Sequence, residues 1–315
     1  MADIAVVVPA YNAERFIEAT LLSVLTQGVE HLELIVVDDG STDGTPQMLE
    51  AFASADTRVV VVTQPNRGVS NARNTGLDAL SQDKLTVLFL DHDDTLLPNA
   101  LVDLYNLLCT QPNASAVHGL VSVIGPEGEP AAGDAKELGL NRRRLPVGKG
   151  LVWAVKHGPE DVPTAGPTTF DSLVYSSCIT SPGQVLMRRS ALRDAGKFDP
   201  ATAPSDDWDL YLRLSRIGPI AFVNRPVLGW RRHDSNASRN IARMKSSSYA
   251  VRSKLLSRET RLTSAEIAIV RRQFAYTAAA LLNAYRLRQA GCDFKIDVLP
   301  AVKLFLRSVA TPARR

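Results

Sequence analysis

The fold of this chain is indicated by the stretch Leu34-Ile35-Val36-Val37-Asp38-Asp39-Gly40-Ser41, in which four apolar residues run directly into two carboxylates and a glycine. A short apolar run that ends in turn-forming residues is typical of a buried strand. Similar runs lie at residues 4–9, 58–63 and 86–90, with stretches of helical length between them. Strands that alternate with helices predict right-handed βαβ units, and therefore an α/β, doubly wound, mostly parallel sheet.

Capping residues mark where several helices are expected to begin. Asn12 precedes the first helical stretch, and Thr45 followed by Pro46 precedes the second. Asparagine and threonine side chains accept hydrogen bonds from the N–H groups of a first turn, and proline suits the first helical position. Near the carboxyl end, Thr263 and Glu266 have the spacing of a capping box. We expect a helix to begin at each of these three places.

Length and composition are those of an ordinary globular protein. The 315 residues are 45% hydrophobic and 22% charged, which excludes disordered and collagen-like chains and allows two compact units or one domain with an appendage. The apolar runs are of strand length, so no membrane-spanning helix is expected. The first residues lack the features of a signal peptide, which predicts a cytoplasmic protein. Cys109, Cys178 and Cys292 are scattered and are predicted to be buried, reduced thiols.

Charge divides the chain into two parts. Residues 239–315 hold 16 Lys and Arg against 4 Asp and Glu, a net charge of +12, whereas residues 1–238 carry −9. We therefore expect an α/β domain over residues 1–238 and a basic, helical carboxyl-terminal extension over residues 239–315. Between about 125 and 182 glycine and proline interrupt the pattern around the cluster Arg142-Arg143-Arg144. This segment is expected to form an insertion over one edge of the sheet.

The extension becomes amphipathic near its end. Apolar residues alternate there with Lys303 and Arg307. Because basic segments gain free energy near anionic surfaces, we expect the extension to make peripheral contact with an anionic membrane at its inner face. A solvated helical face, or a packing element that joins copies in a homo-oligomer, are the alternatives. Nucleic acid is excluded as a partner, because residues 1–238 are acidic and no recognition motif is present.

Carboxylates follow two of the expected strands. The pair Asp38-Asp39 follows one run, and Asp91-His92-Asp93-Asp94 follows another. The carboxyl ends of parallel strands share one edge of the sheet, where ligands bind in open α/β folds. Three carboxylates within four residues repel one another unless a cation or positive neighbours offset their charge, and hard oxygen ligands suit Mg²⁺ or Mn²⁺. A divalent metal is the simplest account of the second cluster.

Three further segments have two interpretations each. Residues 64–74 either cradle a nucleotide, with Gly68 allowing close approach and Arg73 donating to phosphates, or form an ordinary capped helix with a solvated arginine. Asp206-Asp207 lies at a helix start, where a carboxylate either complements the macrodipole or acts as a general base. His233 follows Arg231-Arg232 and is either a structural histidine or part of a metal or diphosphate site.

Five segments stand out in a fixed order along the chain. They are Val7-Val8-Pro9-Ala10-Tyr11-Asn12; Val36-Val37-Asp38-Asp39-Gly40-Ser41-Thr42-Asp43-Gly44-Thr45; Asn66-Arg67-Gly68 with Ala72-Arg73-Asn74; Leu90-Asp91-His92-Asp93-Asp94; and Asp206-Asp207-Trp208-Asp209-Leu210. Together they resemble the motifs of family-two inverting glycosyltransferases with the GT-A fold. The resemblance covers residues 4–238 and implies a GT-A, Rossmann-like sheet; residues 239–315 match no motif of the family.

The resemblance also implies roles for individual residues. Asp91 and Asp93 fill the family's metal-binding Asp-x-Asp positions, with Asp94 beside them, and His233 matches a histidine that assists with metal or diphosphate. The base is implied at Asp207, with Asp206 as its neighbour, although the family's pair is usually Glu-Asp. His92 departs from the small residue common at that position. The positions implied to bind the nucleotide-sugar are Pro9, Ala10, Tyr11, Asn12, Asp39, Asn66, Gly68, Arg73, Asp91 and His92.

The implied activity is metal-dependent transfer of a sugar from a nucleotide-diphosphate sugar, with UDP favoured, to a hydroxyl of a glycan or lipid-linked acceptor. The setting would be polysaccharide, glycolipid or cell-envelope glycan synthesis, with acceptor contacts from the insertion at about 125–182. Residues 88–96 also resemble the first motif of haloacid dehalogenase-type phosphatases, in which Asp91 would be the nucleophile. A non-catalytic nucleotide-sugar binding module is a further alternative. A dinucleotide-dependent dehydrogenase is disfavoured, because no Gly-x-Gly-x-x-Gly opens the first βα turn.

Overall fold

The computed structural model describes residues 3–131, 166–175, 177–258, 262–264, 266–268 and 270–271. The chain divides into two compact units. The first consists of Met1–Pro200 with Asp207–Asp234, and the second of Ala201–Asp206 with Ser235–Arg315. Several sequence-based expectations lie outside the described residues, namely Arg142-Arg143-Arg144, Cys292, the amphipathic segment around Lys303 and the greater part of the insertion.

One eight-stranded sheet forms the first unit, in the order β3-β2-β1-β4-β7-β6-β8-β5. Strands β3, β2, β1 and β4 are parallel, β7 is antiparallel to both neighbours, and β6 is parallel to β8. The predicted α/β, mostly parallel sheet is confirmed. The strands are β1 (Ile4–Ala10), β2 (Leu32–Asp38), β3 (Val59–Thr63), β4 (Thr86–Phe89), β5 (Thr95–Leu96), β6 (Ala116–Ile124), β7 (Val185–Arg188) and β8 (Ile220–Arg231).

Helices connect the strands of the first unit, and one long helix belongs to the second. They are α1 (Ile17–Leu25), α2 (Thr45–Ala55), α3 (Val69–Asp78), α4 (Ala100–Thr110), α5 (Phe170–Tyr175), α6 (Arg189–Ala195), α7 (Asp206–Ile217) and α8 (Ile241–Arg258). Within the described part of the chain, no helix combines the length and the apolar character needed to cross a membrane. Helix α8 shows that the extension is helical over residues 241–258.

Burial along the strands explains their composition. Every residue of β1, β2 and β4 is buried, as expected for central parallel strands that are covered by helices on both faces. Strand β3 is at the edge of the sheet, and most of its residues are partly or fully exposed. The core therefore lies along β1 and its neighbours, and it holds the carboxyl ends of these strands at one edge.

Two of the expected helix caps are wrong, and one is confirmed. Helix α1 begins at Ile17 without a side-chain cap, while Asn12 has a φ of 48° and its Oδ1 accepts from the N–H of Thr42 at 2.8 Å. Thr45 is the first residue of α2 rather than its cap. Its Oγ1 accepts from the N–H of Ala13 in another loop, at 2.8 Å, and caps no N–H of the helix. The capping box between Thr263 and Glu266 is present, with reciprocal hydrogen bonds of 2.6 and 3.3 Å.

The two described cysteines differ in burial. Cys178 is buried, as expected, but Cys109 is exposed. The prediction of a buried thiol is therefore wrong for Cys109, which lies at the solvent face near the end of α4.

Candidate active site

The site is built on the edge where β1, β2 and β4 end. Ala10 is paired with Asp38 across β1 and β2, and Val7 is paired with Phe89 across β1 and β4. The loops that follow these strands therefore start side by side. The carboxylates that follow β2 and β4 come to the same edge, as the sequence indicated.

Two of these loops are joined by hydrogen bonds. The N–H of Asn12 donates to Ser41 Oγ at 3.0 Å, and its side chain accepts from Thr42. Glu14 accepts from the N–H of Gly44 at 2.9 Å. Pro9 and Ala10 are buried in β1, whereas Tyr11 is 44% exposed. Of the residues implied to line the nucleotide pocket here, Tyr11 is the one that presents its ring to solvent.

Asp39 organises the loop between β3 and α3. Its Oδ1 accepts from Gln64 Nε2 at 2.7 Å and from the N–H of Arg67 at 2.8 Å, and its Oδ2 accepts from the N–H of Gly68 at 2.8 Å. Asp39 is only 3% exposed. Gly68 has a φ of 86°, and no described atom lies within 4 Å of the Cβ it lacks. Asn66 and Gly68 are exposed, although the N–H of Gly68 is already bonded to Asp39. Contact between Asp39 and a base stays a prediction.

Arg73 is not solvated. Its side chain is 6% exposed, and its Nη2 donates to Asp91 Oδ1 at 2.6 Å. Its guanidinium also lies over the ring of Phe198, 5.3 Å from the centroid. Arg73 therefore supplies a positive neighbour for the first carboxylate of the acidic turn, which we define as residues 91–94.

The third residue of the acidic turn pairs with His233. Asp93 Oδ2 and His233 Nε2 are 2.8 Å apart. Burial by itself raises the pKa of Asp93, but the hydrogen bond from His233 and the nearby imidazoles of His92 and His233 lower it, and the net shift is downward. The ring of His233 packs against Phe16 with centroids 4.6 Å apart. His92 Nδ1 lies 3.3 Å from the carbonyl oxygen of Pro9, which holds that side chain against the end of β1.

Asp94 faces the protein interior. Its Oδ1 accepts from the N–H of Arg231 at 3.0 Å, and its Oδ2 accepts from Ser181 Oγ at 2.8 Å. Burial, together with the charges of Asp93 and Asp91, raises the pKa of Asp94 well above its usual value. Both of its oxygens are thus used within the protein, and the structure does not present it beside Asp91 and Asp93 as a third open carboxylate.

The chemistry of the acidic turn suits a divalent cation. Asp91 Oδ1 and Asp93 Oδ2 are bonded to Arg73 and His233, which leaves one oxygen of each carboxylate without a hydrogen bond from another described side chain. Carboxylate oxygens are the ligands that Mg²⁺ and Mn²⁺ prefer. Over the residues that the structure describes, no three His, Cys, Asp or Glu side chains are grouped as a ready metal site. Four metal ligands were implied by the sequence, namely Asp91, Asp93, Asp94 and His233. The structure fits two of them better, Asp91 and Asp93, because Asp94 and His233 are bonded to other groups of the protein.

The structure separates the members of the Asp206-Asp207 pair. Helix α7 begins at Asp206, which is fully buried, whereas Asp207 is partly exposed. Asp207 Oδ1 accepts from the N–H of Trp208 at 2.7 Å within the first turn. Asp209 is buried and paired with Arg213 at 2.8 Å. Of these three carboxylates, Asp207 is the one that solvent reaches.

Two residues of the site were missed by sequence reasoning. Thr20 Oγ1 lies 2.8 Å from the carbonyl oxygens of both His92 and Asp94, so it holds the backbone of the acidic turn from α1. Arg231 Nε donates to the carbonyl oxygen of Asp93 at 2.8 Å. A threonine inside a helix carries no pattern that points to such a role. The basic residues before His233 were noticed, but nothing in their spacing indicated which one is buried.

Two curated relatives with similar sequences are matched over a short part of their own length. Glycosyltransferase GlyA of Streptococcus pneumoniae serotype 4 is 36% identical over 125 residues, which cover 40% of this chain and 18% of that protein. Minor teichoic acid biosynthesis protein GgaA of Bacillus subtilis is 37% identical over 109 residues, covering 33% and 24%. This chain therefore spans less than a quarter of the length of either relative.

Solved structures share the fold over nearly the whole chain. S. aureus TarS 1-349 in complex with UDP gives a TM-score of 0.66 at 19% identity, covering 98% of this chain and 81% of that one. The mannosyltransferase PcManGT from Pyrobaculum calidifontis, in complex with GDP-Man and Mn²⁺, gives 0.62 at 19% identity, covering 98% and 79%. At sequence identities this low, the structural match shows a common fold and nothing more.

The sequence profile of one family extends from the first strand to the end of α6. Residues 5–196 match the family described as Glycosyl transferase family 2. This range contains β1, β2 and β4 together with the acidic turn that follows β4. Because the match covers more than half of the 315 residues, this chain belongs to glycosyl transferase family 2.

Proposed function

We propose that this protein transfers a sugar from a nucleoside diphosphate sugar to an acceptor hydroxyl, with inversion at the anomeric carbon and with Mn²⁺ or Mg²⁺ as cofactor. The observation that carries the proposal is the acidic turn at the sheet edge. Arg73 and His233 hold Asp91 and Asp93 there, and each carboxylate has one oxygen that accepts no hydrogen bond from another described side chain. Family membership favours this function over the phosphatase and dehydrogenase alternatives.

A uridine nucleotide is the favoured donor. TarS, which shares the fold, has been solved with UDP and with UDP-GlcNAc, whereas PcManGT has been solved with GDP-Man. The exposed ring of Tyr11 offers a surface on which a base can stack, and the exposed residues Asn66 and Gly68 lie in the loop that Asp39 organises. A flat aromatic surface suits the stacking of a nucleotide base.

The cation would be held by Asp91 and Asp93. When bound, it would supply Lewis acidity to offset the negative charge that develops on the diphosphate leaving group. The chain's own residues prepare this site: Arg73 orients Asp91, and His233 orients Asp93. Both contacts are short and largely buried, so neither carboxylate needs to reorganise when a ligand arrives.

Asp207 is the proposed general base. It is partly exposed in the first turn of α7, where the N-terminal end of the helix favours a negative charge. Its carboxylate takes the proton from the acceptor hydroxyl as that oxygen attacks the anomeric carbon. The bond between the sugar and the diphosphate breaks on the opposite face, so configuration inverts in one displacement. Asp206 is fully buried and therefore does not meet the acceptor.

The proposed acceptor is a growing cell-envelope glycan or a lipid-linked precursor. One relative is named for the biosynthesis of minor teichoic acid, and another for that of teichuronic acid. The basic extension would bring the protein to an anionic membrane surface from the cytoplasmic side, which suits a lipid-linked acceptor.

A donor screen tests the proposal. UDP-, GDP- and dTDP-sugars would be added to the full chain with and without Mn²⁺, and melting temperature and release of the nucleoside diphosphate would be measured. We expect one nucleotide class to raise the melting temperature only with Mn²⁺, and to be hydrolysed slowly in a way that Asp207→Asn abolishes. Stabilisation without any release would favour a binding module. Release of phosphate from simple phosphate esters, with acid-stable phosphate on Asp91, would favour a phosphatase.

A further inference from the structure

Arg231 is the last residue of β8 and is buried, with 3% of its surface exposed. Its guanidinium donates to three backbone carbonyl oxygens that belong to two separate segments. Nε donates to Asp93 at 2.8 Å, and Nη1 donates to Pro126 at 2.7 Å and to Gly125 at 3.3 Å. The main-chain N–H of Arg231 donates to the side chain of Asp94. One residue thus holds the acidic turn and residues 125–126 together.

The second segment is a tight hairpin, here defined as residues 123–131, from which the insertion leaves β6. The N–H of Gly125 donates to the carbonyl oxygen of Glu129 at 2.7 Å, and the N–H of Ala131 donates to that of Val123 at 3.1 Å. Gly128 turns the chain with a φ of 90°. The two carbonyls that Arg231 binds are therefore fixed at the root of the insertion.

The positive charge of Arg231 also favours its position between the acidic turn and the hairpin. Burial lowers the pKa of Arg231, but the carboxylates of Asp94, Asp93, Glu127 and Glu129 oppose that shift. An arginine stays charged at any pH at which the protein is folded. Its buried positive charge lies between the acidic turn and the acidic hairpin and offsets the repulsion between them. Its guanidinium also lies over the ring of Phe16, 5.2 Å from the centroid, which limits its movement.

We infer that Arg231 is a positioning residue that couples the hairpin at the root of the insertion to the cation-binding carboxylates of the acidic turn. A planar fork bonds carbonyls on two segments at once, which the single ammonium of lysine does not reproduce. Displacement of the hairpin by an acceptor therefore shifts the backbone of Asp93, and binding at the acidic turn stiffens the hairpin. The meaning of this coupling for catalysis rests on the proposed function.

The test compares Arg231→Lys with Arg188→Lys in the full chain. Arg188 is a matched control, because it also donates to three backbone carbonyls, those of Ala114, Leu108 and Gln111. It is paired with Thr86 at the opposite end of β4 from the acidic turn. Both substitutions keep the positive charge and remove the planar guanidinium group. An effect that came only from lower stability would therefore appear in both variants.

Two measurements separate coupling from stability. The first is the affinity for Mn²⁺ in the presence of UDP, from the paramagnetic resonance of free Mn²⁺; groups that orient metal ligands typically contribute about 10–100-fold. We expect a weakening of about that size in Arg231→Lys and none in Arg188→Lys. The second is amide hydrogen exchange. In the wild type Mn²⁺ with UDP should slow exchange across the hairpin, and Arg231→Lys should abolish this effect.

Unchanged Mn²⁺ affinity in Arg231→Lys, or hairpin protection that persists in it, would overturn the inference. Failure of the proposed function would show differently, as absence of any Mn²⁺ and UDP binding by the wild type. In that case, amide hydrogen exchange measured without ligand tests the inference. Faster exchange of Gly125 in the hairpin and of Asp94 in the acidic turn, in Arg231→Lys only, supports the coupling. Equal exchange in both lysine variants overturns it.

Discussion

Substitution of Asp94 by asparagine should leave the fold at least as stable as the wild type, whereas loss of hydrogen bonds in the alanine variant should cost about 2–4 kcal/mol. An asparagine Oδ1 accepts from the N–H of Arg231, and its Nδ2 donates to the hydroxyl of Ser181, which is also an acceptor. Alanine leaves the N–H of Arg231 without an acceptor, at about 1–3 kcal/mol, and loses the bond to Ser181, at about 1 kcal/mol. All three residues are at most 3% exposed, so water does not replace the lost partner.

The pH dependence of the same variants follows from the charge of Asp94. Burial and the charges of Asp93 and Asp91 raise the pKa of this carboxyl in the folded state. The native chain therefore binds a proton that the unfolded chain releases at about pH 4, so wild-type stability falls as pH rises from there toward the folded pKa. The slope is at most about 1.4 kcal/mol per pH unit. The asparagine side chain does not titrate, so the advantage of Asp94→Asn over the wild type should grow with pH.

Urea unfolding followed by tryptophan fluorescence, in EDTA at pH 5 and pH 8, measures both effects. Asp43→Asn is a control whose stability relative to the wild type should not change between pH 5 and pH 8. Burial raises the pKa of Asp43, but hydrogen bonds from Thr45 and Glu14 lower it overall, so the contribution of this carboxylate is lost only at more acidic pH. An asparagine variant of Asp94 as unstable as the alanine variant would refute the reasoning. Loss of Mn²⁺ affinity in Asp94→Asn would show instead that Asp94 is the metal ligand implied by sequence.

Three further predictions concern function. Asp93→Asn keeps an oxygen for His233 but removes the charge, and calorimetry should show that Mn²⁺ no longer strengthens UDP binding; unchanged stimulation would place the metal elsewhere. Asp207→Asn should reduce transfer by roughly 10²–10⁴-fold with donor affinity little changed, because general-base catalysis contributes that much; transfer near the wild-type rate would make Asp207 a helix-start residue. Changing Lys295, Lys303 and Arg307 to glutamate should lower the affinity for anionic vesicles by at least roughly 100-fold at low salt, because each basic residue contributes about 1 kcal/mol. Sedimentation with vesicles measures this affinity, and equal sedimentation of the variant and the wild type would indicate a packing or self-association role.

Much of the sheet and the position of the site could be predicted because both depend on local pattern. The runs that begin at residues 4, 34, 58 and 86 became the four parallel strands, and the residues directly after β2 and β4 came to one edge. Helix starts were less predictable. Asn12 has the chemistry of a cap, but Thr42 lies 30 residues away and takes its side chain instead. A hydrogen-bond partner 30 residues away cannot be predicted from the residues around Asn12.

By itself the sequence determined which residue types reach the sheet edge, because a strand and the loop after it are contiguous in the chain. Only the tertiary structure decided their partners. His233 and Arg231 meet Asp93 and Asp94 across 140 and 137 residues, through the neighbouring positions of strands in one sheet. Asp206 and Asp207 look equivalent in sequence, yet one is buried and the other reaches solvent. Spacing reports local backbone preference, whereas burial and pairing depend on which distant strands pack together.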